Sequence, residues 1–372
     1  MLYVDIPTSA DLADLSGVRE DICVSIYLGT TPLSQDAGAD RIELKNLSKE
    51  AIAQLESAGA DKRRVAAVAE HIDDLTDDDE FWRFQARSLG ILVTPDNMRT
   101  FRLPNALQPM TAVSDRFHLK PLLRATTFPN AAYLLALSEN AVRLVEVLAE
   151  LPPAEVKVDG LPKDAASAVG KSTLNDRSPS GRITGTEGQN VRLRQFARKV
   201  DQALRPLLSG GALPLVLASD SRLASIYRSV NSYPELAPDV IDGSPDRVTD
   251  ANLAESARGV LDALYAAQIA EWVELFEARD SQGRVATDLG DAARAATFGA
   301  VDSILVDIDE AIPGAIDDKG TLTLADKASA DSYDVVDEIA RRVIGAGGRV
   351  YAVRKDDIPR GKPLAAILRY AV

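Results

Sequence analysis

Gly185-Thr186-Glu187-Gly188-Gln189-Asn190, running almost directly into Leu193-Arg194-Gln195-Phe196-Ala197-Arg198-Lys199-Val200, is the stretch on which the reading of this chain turns. Glycine frees the backbone for turns and close approaches. The residues that follow place Leu193, Phe196, Ala197, Val200, Ala203, Leu204 and Leu207 at helical spacing, which predicts a helix with one buried stripe. Upstream, Leu151 to Asn190 is polar and rich in Pro, Gly, Ser, Asp and Lys. A connection of that length is either functional or lacks structure of its own, and Lys163 to Gly188 is expected to be an exposed, mobile loop because it carries little to bury. Downstream, Leu213 to Ala218 reads as a short buried strand and Leu223 to Val230 as a helix, an alternation that fits an α/β layer.

Charge sharpens this picture. The 372-residue chain has a net charge of −14, which disfavours indiscriminate binding along nucleic acid. Yet between Lys171 and Arg205 the basic residues are Lys171, Arg177, Arg182, Arg192, Arg194, Arg198, Lys199 and Arg205, against only Asp176, Glu187 and Asp201. This is a basic island in an acidic chain, although a solvated helix face would produce the same pattern. Hydrophobic content of 46% and charged content of 26% suit a globular protein with several cores. No apolar run reaches membrane-spanning length. The start, Met1-Leu2-Tyr3-Val4-Asp5-Ile6, lacks the basic and apolar regions of a signal peptide, so a cytoplasmic location and no membrane partner are expected. The single cysteine, Cys23, lies in an apolar run and reads as a core residue.

Outside the middle region, Ile22 to Leu28 reads as a buried strand, followed by helices over Ile42 to Leu55 and Arg63 to Ile72. The acids Asp73, Asp74, Asp77, Asp78, Asp79 and Glu80 lack calcium-loop spacing and read as caps for a helix near Phe81-Trp82. Ser88 to Val93 and Met98 to Leu103 make a hairpin, as do Tyr133 to Ser138 and Val142 to Val147. Phe117 to Arg124 reads as a junction. A long helix then carries Leu253 to Phe276, a strand Val301 to Val306 and a helix Val335 to Ile344, with Gly347-Gly348 as its stop signal. The fold class is α/β in three domains: residues 1–125, residues 126–245 with the long loop 151–190, and residues 246–372 as an α/β/α sandwich.

The order of these pieces resembles the bacterial family related to archaeo-eukaryotic class-I release factors. The resemblance is carried by Ser25-Ile26-Tyr27, by Phe117-His118-Leu119-Lys120-Pro121-Leu122-Leu123, by the Gly188-Gln189 loop with Phe196-Ala197-Arg198-Lys199-Val200-Asp201, by Pro214 to Ala218, by Gly243 to Asp250, and by the closing Gly347 to Val353 with Ala365 to Tyr370. It implies a family-specific N-terminal domain, a middle domain similar to the release-factor catalytic domain, and a C-terminal domain similar to the release-factor third domain. It implies the ribosome, or ribosomal RNA and tRNA, as partner. In that family a Gly-Gly-Gln tip positions water against the peptidyl-tRNA ester. Gly188 matches the second glycine and Gln189 the glutamine, but Glu187 stands where the first glycine would be. Two readings follow: a degenerate tip on a ribosome binder that does not cut the ester, which is preferred, or an altered active loop borrowing flexibility from Gly185. Arg192, Arg194, Arg198, Lys199 and Arg205 are the RNA-binding candidates. A protein-interaction module that keeps the fold is the alternative class, and a small-molecule hydrolase a more distant one.

Other chemistries find less support. His71 and His118 are far apart and no Cys or His pair has zinc spacing, so no metal or cofactor is expected. Ala168-Val169-Gly170-Lys171-Ser172 lacks the first glycine of a phosphate loop, since position 165 is Ala165. Asp307/Asp309 and Asp317/Asp318 read as turn formers.

Overall fold

The computed structural model describes residues 5–31, 37–127, 131–148, 152–170, 186–209, 213–326 and 332–371. The chain divides into two compact units, one made of Met1–Pro129 together with Ile269–Val372, the other of Asn130–Gln268.

The first part of the chain contributes α1 (Ser9–Gly17), β1 (Cys23–Gly29), α2 (Ala37–Ser57), α3 (Lys62–Asp77), α4 (Asp79–Trp82), β2 (Ser88–Val93), β3 (Met98–Leu103), β4 (Met110–Ser114) and α5 (Lys120–Thr127). The four strands form an antiparallel sheet in the order β3-β2-β1-β4. Because β1 is central, both of its faces are covered. Val24, Ile26 and Leu28 meet Leu44, Leu55, Val68 and Ile72 of α2 and α3, while Cys23 and Tyr27 face the opposite core. That two-sided burial is why β1 is apolar throughout rather than alternating. Asp78 caps α4, accepting from Glu80 N and Phe81 N at 2.9 Å each.

The second unit contains β5 (Ala132–Leu137), β6 (Val142–Val147), β7 (Ala154–Val156), α6 (Ala165–Ala168), α7 (Thr186–Leu208), β8 (Leu215–Ser219), α8 (Ser221–Arg228), β9 (Leu236–Asp242) and the first part of α9 (Asp250–Asp280). Its sheet runs β7-β6-β5-β8-β9, with β5, β8 and β9 parallel and β6 and β7 antiparallel. Strand alternation separates two cores. Leu215 and Leu217 face α6, α7 and α8, and Val216 and Ala218 face α9. The polar stretch expected to be one long loop is interrupted by structure: β7 pairs with β6, and Ala165 and Ala168 of α6 are buried, so the expected exposure fails at those positions while Lys163, Ser167 and Gly170 are exposed. Residues 171–185 of that expectation lie outside the described residues, and its last three positions, 186–188, already belong to α7.

The chain closes with β10 (Val285–Ala286), α10 (Leu289–Thr297), β11 (Val301–Asp307), β12 (Pro313–Ile316), β13 (Leu322–Leu324), β14 (Tyr333–Asp334), α11 (Val335–Gly345), β15 (Arg349–Val353) and β16 (Leu364–Leu368). The main sheet runs β10-β16-β11-β15, with β11 and β15 parallel. Helices α10 and α11 cover one face, and Trp272 and Phe276 of α9 cover the other with Leu305, Val353 and Ile367. This is the expected α/β/α sandwich. Gly347 ends α11 with φ of 73°, and its N–H and that of Gly348 return to Ile344 O and Val343 O.

The structure draws the boundaries differently from the sequence reading. Leu253, Ala254, Ala257 and Leu261 pack on Val216 and Ala218, so the start of α9 completes the second unit and the division expected after residue 245 falls short. Apolar spacing along α9 shows a buried stripe but not which sheet lies under each turn. Residues 1–125 and 246–372 are likewise not separate cores. Leu12, Tyr27, Phe101 and Leu119 share one cluster with Ile304, Val306 and Ile339. A charged network lies beside it. Glu338 of α11, fully buried, ion-pairs with Arg19, Arg116, Arg341 and Arg342 at 3.3, 2.6, 2.7 and 2.7 Å. Arg116 Nη1 is close to Glu338 Oε2 but off the hydrogen-bonding direction, so that contact is ionic. Neighbouring Asp337 accepts the backbone N–H groups of Leu119 and Lys120 at 2.9 and 2.6 Å and lies 3.6 Å from His118 Nδ1. His118 thus lies inside the first unit rather than at a domain junction, its backbone tied to Ser25 and Tyr27.

Candidate functional site

Helix α7 carries the residues singled out by the sequence. Leu193, Phe196, Ala197, Val200, Leu204 and Leu208 are buried against the sheet and α8. Arg194, Arg198, Lys199 and Arg205 are exposed on the other side. Arg194 and Arg198 are four residues apart, Arg205 is seven further on, and such spacings share one helix face. Arg192 is half-buried and stands apart from this open strip. Arg205 is partly neutralised by Asp201, accepting carboxylate of the same helix, at 3.0 and 2.7 Å. Asp201 is itself buried and also receives Ser232 N and Oγ. Beneath it, burial first and the Asp201 charge second push the Tyr227 hydroxyl well above its ordinary pKa. Among the described residues, Arg194, Arg198 and Lys199 have no ion-pair partner, so three cations face solvent.

The Gly-Gln pair is not where a loop reading puts it. Gly188 and Gln189 lie in the first turn of α7, Gly188 buried and Gln189 half-buried. The helix begins at Thr186, so position 187 has helical backbone as well. No left-handed glycine is used at 188. The pattern of apolar residues first signals the helix at Leu193; the turn before it has no periodic apolar residue to reveal it.

One residue the sequence did not suggest completes the arrangement. Arg222, in the first turn of α8, donates from Nε and Nη2 to Asn190 Oδ1 at 3.0 and 2.8 Å, and from Nη1 and Nη2 to Gln189 Oε1 at 3.2 and 3.3 Å. Since arginine only donates, both amides must turn their oxygens toward it. Arg222 is placed by its own helix start, where Asp220 accepts Arg222 N and Leu223 N at 3.1 Å each. In a parallel layer the helix that precedes a strand begins near that strand's carboxyl end. This brings the starts of α7 and α8 together although they are far apart in sequence. Next to them β8 ends at Ser219, whose Oγ is buried without a partner among the described residues. An open cleft of about 340 Å³ between α8 and β9 is lined by Ser221, Ser225, Arg228, Val240 and Asp242. Its Arg228 is already held by the carbonyls of Ala237, Pro238 and Asp239.

Residues 129–267 match the model of bacterial archaeo-eukaryotic release factor family 11, a span that coincides with the second unit to within a residue at each end. This span of the chain is similar to that release-factor family. Helix α7, the Arg222 contacts and the start of α9 all lie inside the release-factor-like unit. Among solved structures the chain is similar to an archaeal translation termination factor, aRF1, at 14% identity with 98% and 99% of the two chains covered and a TM-score of 0.25. It is similar to Dom34 of S. cerevisiae, a translation termination-like factor, at 12% identity over 77% and 80% with a TM-score of 0.44. It is also similar to archaeal Pelota, in a model of the ribosome-bound protein with ABCE1, at 14% identity over 99% and 96% with a TM-score of 0.41. No curated protein matches the sequence.

Among the described residues no cluster of three or more His, Cys, Asp or Glu side chains is placed to hold a metal ion. Asp317 accepts Lys319 N and Thr321 N at 2.9 and 2.7 Å, the geometry of a turn former. Cys23 is buried, and burial pushes its thiol up to about 12. No described helix is long and apolar enough to cross a membrane.

Proposed function

We propose that this chain is a cytoplasmic, ribosome-associated translation factor that engages stalled or idle ribosomes through α7 and does not itself cut peptidyl-tRNA. The observation that carries the reading is the exposed strip of Arg194, Arg198 and Lys199 on α7, headed by Gly188-Gln189, inside the unit that matches a release-factor family model. Three cations on one helix without an ion-pair partner among the described residues are suited to phosphate contacts. Glu187 and the helical start of α7 argue for a binder. An ester-cleaving tip needs a backbone that can approach the ester closely, and both a charged residue and a formed helix oppose that.

Co-sedimentation of the full chain with ribosomes across a salt series tests this. Binding should fall as salt rises, and Arg198→Glu with Lys199→Glu should weaken it and flatten the slope. Unchanged binding in the double variant would favour a protein-interaction module that keeps the fold. Release of peptide from programmed ribosomes is expected to stay at background. Release that disappears in Gln189→Ala would instead make Gln189 part of an active site, with its amide orienting the attacking water. Glu187→Gly is the variant expected to raise release if position 187 is what blanks the tip.

A further inference from the structure

We propose that Arg222 is an RNA-responsive latch: it holds Gln189 and Asn190 in the free protein and releases them when an RNA phosphate takes its guanidinium. The proposal rests on the ribosome-binding reading above and adds a residue and a switch to it.

The contact is a built one, four donor–acceptor pairs from a single guanidinium to two consecutive side-chain amides. Its chemistry is unbalanced. Both acceptors are neutral, and among the described residues no carboxylate pairs with the guanidinium. Asp220, one turn end away, spends its carboxylate on backbone N–H groups. Arg222 is exposed, so an anion can reach it. A hydrogen bond between two ionised groups is roughly twice as strong as one with a neutral partner, and a phosphate matches the guanidinium fork. A phosphate arriving at Arg222 is therefore the better acceptor.

The position favours RNA over an acidic protein. Asn190, Arg194 and Arg198 are spaced by four residues along α7, so the clamp stands at the head of the unpaired cationic strip. A polyanion lying along Arg198 and Arg194 meets Arg222 next. Losing Arg222 removes the side-chain ties of Gln189 and Asn190 at the start of α7, the end whose N–H groups have no partners within the helix. Gln189 is then free to turn its amide elsewhere.

The experiment uses the full chain and deacylated bulk tRNA, with hydrogen exchange read over residues 186–192 and binding measured across a salt series. In the unaltered protein, tRNA should speed exchange in this segment severalfold while leaving exchange on β8 unchanged. Arg222→Gln should exchange fast without tRNA, show no further change with it, and flatten the salt slope by about one phosphate contact. Arg222→Lys, which keeps the charge but loses the fork, should also exchange fast yet retain the slope. If tRNA binds but exchange stays slow, or Arg222→Gln keeps both slow exchange and the full slope, the latch is wrong while the RNA-binding reading survives. Loosening by polyglutamate and not by tRNA would overturn it in favour of an acidic protein partner. If the unaltered chain binds tRNA and ribosomes at no salt concentration, the functional reading fails first and the latch with it.

Discussion

Glu338 and Arg222 are each the hub of an arginine network, and they are built for opposite purposes. In the first unit a fully buried carboxylate gathers Arg19, Arg116, Arg341 and Arg342. These come from the segment after α1, from the segment before α5 and from α11, so breaking the hub disconnects parts of the chain more than 200 residues apart in sequence. In the second unit an exposed guanidinium holds two neutral amides, and water can replace every bond it makes. Burial makes the first network a fixture of the fold. Exposure makes the second inexpensive to open and available to a ligand. The same residue type thus serves structure or response according to what surrounds it.

The largest effect should come from Glu338→Ala. Four guanidinium groups would lose their shared counter-charge in a site with little water, and urea denaturation should show a loss of about 3–5 kcal/mol. A change below about 1 kcal/mol would mean the arginines are solvated well enough without it, and the contrast between the units would collapse.

Asp201→Ala is the intermediate case, a buried carboxylate on the otherwise responsive helix. It leaves Ser232 N and Arg205 without their acceptor, and a loss of about 1–3 kcal/mol is expected. The same variant leaves Arg205 unpaired, so ribosome binding should stay level or rise at low salt. A drop in binding larger than the drop in folded fraction would show that Asp201 shapes the strip itself.

Arg222→Ala should change global stability by no more than about 0.5 kcal/mol, since every contact it makes is exposed. A cost as large as that of Asp201→Ala would turn the clamp into a structural bond and remove the difference on which the comparison rests.

The smallest effect concerns pH. Asp246 caps the turn between β5 and β6, accepting Asn140 Nδ2 at 2.9 Å and the Ser138 hydroxyl. Burial alone would raise its carboxyl, but the hydrogen bonds from Asn140, Ser138 and Ser244 and the Arg143 charge outweigh it and hold the group below its ordinary value. A lowered carboxyl stabilises the fold at pH above the unfolded value and loses that contribution as pH falls through the folded value. Between pH 7 and about pH 4 the contribution should be intact, and below that range it should fade. Asp246→Asn should show a shallower acid limb in thermal melts, and an unchanged limb would assign the acid sensitivity elsewhere.

How far the sequence reached differs between elements. The hairpins β2–β3 and β5–β6, the strand β8, the helix α11 with its glycine stop, and the buried stripe of α7 were legible because each declares itself by local periodicity or turn chemistry. Of the face expected from Arg192, Arg198, Lys199 and Arg205, the last three are exposed and Arg192 is half-buried. The short elements β7 and α6 were hidden in polar sequence. A three-residue strand needs only a partner edge, and a four-residue helix only a cap, here Asp164 with Ser167.

Local sequence by itself settled the α/β character of this protein, the amphipathic course of α7 and the basic strip along it, because all three follow from which side chains recur at which spacing. Tertiary structure alone decided three other things: that α9 serves two different cores, that the two ends of the chain share one core around Glu338, and that Arg222 grips Gln189 and Asn190. Each joins residues tens to hundreds of positions apart, and it is packing and layer topology, not periodicity, that brings such residues within reach.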